Sequence, residues 1–221
     1  MDGWTLHWLE AEGTLAPWRP AIEAELAAGY AAVAALVPPP RLDVVVQRVA
    51  GWEIPELGMV GNAHRPSCFS VTLNPDNPNF EPSLAAGALR RQIPHETHHC
   101  MRMAGPGYGW TLGETLVSEG FAGRFTQLAF GNPPEPWECA LDAEALRRYL
   151  PDRAALESRD FDFRAWFFGA DGTYPRWLGY SLGYALVGEW LAVEPRRDPD
   201  TLVNTPAATV LAAAWPRLAG Q

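Results

Sequence analysis

Cysteine is scarce in this chain: Cys68, Cys100 and Cys139 are the whole supply, odd in number and without a CxxC pair. A disulfide framework or a cysteine-rich zinc knuckle is therefore not expected, and reduced thiols are the default. Basic runs are missing too. Lys+Arg number 17 against 26 Asp+Glu, for a formal net charge of -9, which argues against a nucleic-acid surface. Apolar stretches are broken by Pro, Gly or charge before about 18 residues, so no membrane span is expected. The opening Met1-Asp2-Gly3-Trp4 has neither a basic n-region nor an apolar h-region, so a signal peptide is not expected and a cytoplasmic location is. What is present is a globular composition, with 48% hydrophobic and 19% charged residues over 221 positions. That length suits a single domain, 1–221, with a buried core.

Pattern along the chain predicts a mostly helical α+β domain with a small sheet ahead of its central motif. Residues 1–18 carry Trp4, Trp8 and Trp18 but show no readable period. Pro20 to Val37 reads as a helix framed by prolines, with Gly29 weakening its middle by up to about 1 kcal/mol. Leu42–Val49 and Ser67–Leu73 read as strands, separated by a loop containing His64. Asn74 to Pro82 reads as a proline-rich loop, and a helix is expected from an N-cap at Ser83 to Met103. Pro94 falls inside it, so the helix either kinks there or begins anew. Further helices are expected over 112–130, in two stretches around 141–158, over 177–193 and over 206–218.

The chemistry is concentrated in His95-Glu96-Thr97-His98-His99, an HExxH stretch holding three of the five histidines. On a helix, residues four apart differ by about 40° in azimuth and about 6 Å in height. His95 and His99 can therefore aim two imidazoles at one metal ion, with the Glu96 carboxylate beside it as a general base. A catalytic zinc takes three protein ligands and keeps one position open. The extended pattern HExxHxxGxxH does not supply the third, because Arg102 and Gly105 stand at its last two fixed positions.

A glutamate on the following helix is the other common solution. Glu119 lies in an apolar run, Leu116-Val117-Ser118-Glu119-Gly120-Phe121-Ala122, where an unpartnered buried carboxylate would be costly. Gly120 and Gly123 beside it suggest a close approach to the motif helix. Glu114 is the rival, about 140° away around the same helix, so both cannot face one ion. Glu119 is the preferred ligand and Glu114 the helix-start or supporting residue.

Three segments then carry a resemblance to a known family: Pro94 to His99, Thr111 to Ala122, and Gly179-Tyr180-Ser181-Leu182-Gly183-Tyr184-Ala185-Leu186-Val187. The chain resembles a family of predicted zinc-dependent proteases catalogued as a domain of unknown function, related in its site to the gluzincins. The likeness runs from the Ser67–Leu73 strand to about Leu191 and leaves residues 1–66 uncovered. It implies a zincin-like fold, zinc on His95, His99 and Glu119, Glu96 as base, and a peptide or protein substrate.

Other candidates are weaker. His98 reads as a neighbour of the site, His64 as a solvated loop residue, and His7 has no context. Tyr180 and Tyr184 share a helix face, a spacing usual for core, yet either hydroxyl could serve a developing oxyanion. Asp142, Glu144 and Glu157 read as helix-surface charges. The expected mechanism is attack of a zinc-activated water on a carbonyl, with Glu96 moving the proton and the 67–73 strand serving as the sheet edge that holds the peptide. Two other readings are a zinc hydrolase of a non-peptide amide or ester, and a zinc-stabilised binding or regulatory domain in which Glu96 would be dispensable.

Overall fold

Every β-strand among the described residues lies before Asn74, where the β-branched residues Val, Ile and Thr are densest. The protein is described by a computed structural model over residues 1–220. It is an α+β protein that divides into two compact units, Met1–Ala104 and Gly105–Gln221.

The first unit holds a four-stranded sheet of β1 (Trp4–Leu9), β2 (Leu42–Arg48), β3 (Met59–Arg65) and β4 (Cys68–Leu73), in the order β1-β2-β4-β3. β1 with β2 and β2 with β4 run parallel, while β3 runs antiparallel to β4. Its helices are α1 (Arg19–Ala34), α2 (Phe80–Ala85) and α3 (Ala88–Ala104). Ile22 and Leu26 of α1, Val44 and Val46 of β2, Phe69 and Val71 of β4, and Leu89 and Ile93 of α3 share one core. Gly29, a weak point for an isolated helix, is where α3 comes closest: a Cβ there would lie 2.4 Å from Ile93 Cβ.

Several expectations need correction here. The unread N-terminal residues form β1, whose Trp4 is buried against Tyr30 and Phe69 at ring distances of 5.0 and 5.6 Å. The expected loop between the two strands contains β3, disguised because Gly61 and Asn62 interrupt its apolar alternation. β4 is a central strand, buried at every position, and the sheet edges are β1 and β3. Helical structure begins at Phe80, inside the expected proline-rich loop, with Asn79 and not Ser83 at the cap position. Gly87, at φ 75°, then separates α2 from α3. α3 passes through Pro94 as one helix.

The second unit is helical among its described residues: α4 (Leu112–Phe130), α5 (Ala143–Arg148), α6 (Arg153–Glu157), α7 (Phe163–Phe168), α8 (Leu178–Val193), α9 (Pro199–Asn204) and α10 (Ala207–Leu218). α7 and α9 escape the sequence pattern because each is a six-residue turn of helix, started by Asp162 and Asp198 as N-caps. α4 and α8 are the central pair. They meet where a Cβ at Gly120 would lie 2.1 Å from the Gly183 carbonyl oxygen and one at Gly183 would lie 2.3 Å from that of Leu116. Only glycine permits that approach. Among the described residues no helix is long and apolar enough to cross a membrane.

Candidate metal centre

Helix α3 is anchored before its motif begins. Pro94 cannot donate to the carbonyl of Arg90, but Arg90 is secured from outside: its backbone N–H donates to Glu25 Oε2 at 3.2 Å and its Nε to both carboxylate oxygens at 3.0 Å. Glu25 on α1 is only 7% exposed, so this clamp sits at the packed face of the two helices.

One turn further on, the rings of His95 and His99 lie edge to face, 4.7 Å between centroids and 85° between planes. Glu96 is 6% exposed, and His98 is fully buried with its ring 6.2 Å from that of His99. The strand above Glu96 is β3. A Cβ at Gly61 would lie 2.5 Å from Glu96 Oε1 and 2.6 Å from its Cγ, so the carboxylate occupies the space a side chain would take. Cys100 follows the motif as an inert thiol, its pKa pushed up to about 12 by burial first and by the Glu96 and Cys68 charges second. Burial alone pulls the Arg102 guanidinium down to about 10, which leaves it charged at neutral pH in the last turn of α3, where the helix dipole favours a cation.

Helix α4 starts on a capping box. Thr111 Oγ1 accepts from the Glu114 N–H at 3.2 Å, while Glu114 Oε2 accepts from the N–H groups of Thr111 at 3.0 Å and Trp110 at 2.8 Å. These donors, Trp110 first, hold the Glu114 carboxyl below the usual carboxylate range. Glu114 is thus committed to the helix start. Glu119, two turns on from the cap, is 6% exposed and accepts a hydrogen bond from the Tyr108 hydroxyl. Ser118 Oγ donates in turn to the Tyr108 carbonyl, so the loop before α4 is tied to the helix on both sides of the tyrosine.

His95, His99 and Glu119 each offer one ligand atom, and these atoms all lie within 4.8 Å of one another. Two imidazoles and a carboxylate form a donor set that a catalytic zinc takes. The expected use of Gly120 and Gly123 is different from the observed one: Gly120 accommodates α8, and a Cβ at Gly123 would lie 2.0 Å from Glu138 Oε1.

Tyr184 donates its hydroxyl to Gln127 Oε1 at 2.6 Å and lies beneath the Arg124 guanidinium at 3.6 Å. Tyr180 stands against Phe167, with ring centroids 5.0 Å apart. His64 belongs to β3 rather than to a loop, its Nε2 2.9 Å from Ser70 Oγ. His7 Nε2 lies 2.7 Å from Asp43 Oδ1. Asp142 caps α5, and Glu144 and Glu157 pair with Arg148 and Arg153 along their helices. Tyr108 and Gly61 went unread in the sequence. Tyr108 left one signal, a lone aromatic in Gly105-Pro106-Gly107-Tyr108-Gly109 directly after the motif helix.

An HExxH helix followed by a buried glutamate is a residue set from which a zinc site can be built. The chain belongs to the family described as predicted Zn-dependent protease (DUF2268), whose model matches residues 28–212. The match extends well before the stretch carrying the sequence resemblance and takes in the last part of α1 and all of β2 and β3. The comparisons with curated proteins and with solved structures gave no match.

Proposed function

We propose that the protein is a zinc-dependent metallopeptidase that hydrolyses peptide bonds in an extended substrate, with His95, His99 and Glu119 as metal ligands and Glu96 as general base. The observation that carries the reading is the packing of the Glu96 carboxylate against Gly61 of the edge strand β3. An edge strand presents unpaired main-chain N–H and C=O groups, which bind an extended peptide by adding a strand. β3 therefore takes the peptide-holding role that sequence pattern assigned to residues 67–73, and it brings that peptide to the base. This favours a peptide over a non-peptide amide or ester.

Zinc bound by this donor set supplies Lewis acidity that makes a water nucleophilic near neutral pH. The protein supplies the rest. Glu96 accepts the proton of the attacking water and delivers it to the leaving amine, a role for which proximity and partial desolvation both suit it. Tyr108 donates to the Glu119 carboxylate and fixes its orientation, as the second partners of metal-binding carboxylates commonly do. Gly61, lacking a side chain, gives the Glu96 carboxylate its place beside the edge strand.

The test is cleavage of a diverse peptide library by zinc-loaded protein, read by mass spectrometry beside Glu96→Gln. Cuts present in the wild type and absent from the variant support the proposal. A variant that cuts normally would show that Glu96 is not the base. A folded, zinc-loaded wild type that cuts nothing would move the assignment to another amide or ester.

A further inference from the structure

The second unit contains a cavity of about 440 Å³ lined by α4, α5 and α8 residues, with Leu141, Leu146 and Leu150 forming an apolar wall and Arg124 and Arg147 among the polar residues. That volume falls in the range of small-molecule sites, about 300–1,000 Å³.

Arg124 is the residue that calls for an explanation. Its guanidinium is stacked on the Tyr184 ring at 3.6 Å, one Nη donates to the Tyr184 carbonyl at 3.1 Å and the other approaches Gln127 Oε1 at 3.4 Å. Both acceptors are neutral. Its Nε–H is buried and has no hydrogen-bond partner. Withdrawal from water pushes the guanidinium below its ordinary range, and Tyr184 first and the Glu138 carboxylate second offset this only in part. Among the other charges of the cavity, Arg217 and Glu189 neutralise each other at 3.2 Å, which leaves the single Glu138 carboxylate against two cations, Arg124 and Arg147. The lining as a whole is cationic in a chain of formal net charge -9.

A planar guanidinium fixed by stacking, with donors unspent, is a strong receptor for a carboxylate, because charge-assisted and often bidentate bonds form without ordering the side chain anew. We propose that this cavity binds an organic carboxylate, with the anionic end on Arg124 and Arg147 and an apolar body of amino-acid to short-chain size against the leucines. Two sources share this chemistry, a peptide or amino-acid C-terminus and a short fatty acid.

Cys139 provides the reporter. It lines the same cavity and is exposed, whereas Cys68 and Cys100 are buried. The experiment measures the rate at which N-ethylmaleimide labels Cys139 in the full chain, by peptide mass spectrometry, with added N-acetyl-leucine or octanoate and with their neutral counterparts N-acetyl-leucinamide and octanol. The expected result is saturable protection by at least one carboxylate and none by its neutral counterpart. Protection by N-acetyl-leucine alone assigns a peptide-like source, and protection by octanoate alone assigns a fatty acid. Arg124→Gln and Arg147→Gln should each weaken protection by about tenfold or more, the usual worth of a hydrogen bond to a charged group. Should Arg124→Gln fail to fold, Arg147→Gln tests the same claim from the cavity's exposed side. Equal protection by the neutral analogues, or none by either carboxylate, would overturn the proposal. Labelling needs no turnover, so the result stands apart from the fate of the metal centre.

Discussion

Helices α3 and α4 carry the candidate ligands in opposite settings. α3 buries Gln92, Glu96, Thr97, His98, His99 and Arg102, a concentration of polar groups that no ordinary core helix maintains. α4 buries Leu116, Val117, Phe121, Ala122 and Phe125, and among them a single carboxylate, Glu119. Burial of polar groups is costly unless they are satisfied, so each helix advertises a site in its own way. On α3 the signal is the cluster itself. On α4 it is one charged residue out of keeping with its surroundings, and the neighbouring Glu114 shows the contrast, since it faces solvent-side backbone donors and serves the helix cap.

This contrast can be broken experimentally. The largest effect is expected from His99→Ala and Glu119→Ala. Each removes one of the three donor groups, so zinc measured by competition with a chromophoric chelator should fall to background in both, while Glu114→Ala keeps full occupancy. Retained zinc in Glu119→Ala would reverse the roles assigned to the two glutamates.

Next in size is Gly120→Val, which places side-chain atoms where the α8 backbone now lies. Overpacking of this kind costs about 1–3 kcal/mol or more, and chemical denaturation should show it. An unchanged midpoint would mean that α4 and α8 are not in such close contact. Tyr108→Phe should leave folding intact and weaken zinc binding by about 10–100-fold, as loss of a ligand's supporting hydrogen bond does. Affinity equal to wild type would confine Tyr108 to packing the loop.

The smallest effect belongs to Glu114→Ala. An acidic group at a helix start contributes about 0.3–1 kcal/mol. Because the folded carboxyl is held below its ordinary range, that contribution is complete above the unfolded value and disappears as pH falls through the folded one. The stability gap between wild type and variant should therefore be present at pH 7 and close under acid. A gap independent of pH would show that the charge is not what stabilises the cap.

The same contrast explains what could be read from sequence. His95 and His99 are legible because helical spacing alone brings them to one face, and Glu96 because it stands beside them in the motif. Glu119 is legible because a carboxylate in an apolar run demands a partner. The extent of α4 was also readable, its end from Gly131, which lies in the left-handed region at φ 65°. β3 was not, because its alternation is broken by Gly61, the residue that makes room for Glu96. The requirement that admits the Glu96 carboxylate thus removed the local pattern of the strand. Tyr108 was unread for a related reason: its hydrogen bond to Glu119 joins a loop to a helix, and neither period nor propensity encodes it. Gly120 was noticed for the right property and assigned to the wrong neighbour, since sequence shows that a helix is approached but not by what.

The measurement closest to the central claim is the paired determination of zinc content and peptide hydrolysis in wild type and Glu96→Gln. A general base at Glu96 predicts equal zinc in both proteins and a loss of turnover of about 10²–10⁴-fold in the variant, the usual contribution of such a group. Equal turnover at equal zinc would contradict it.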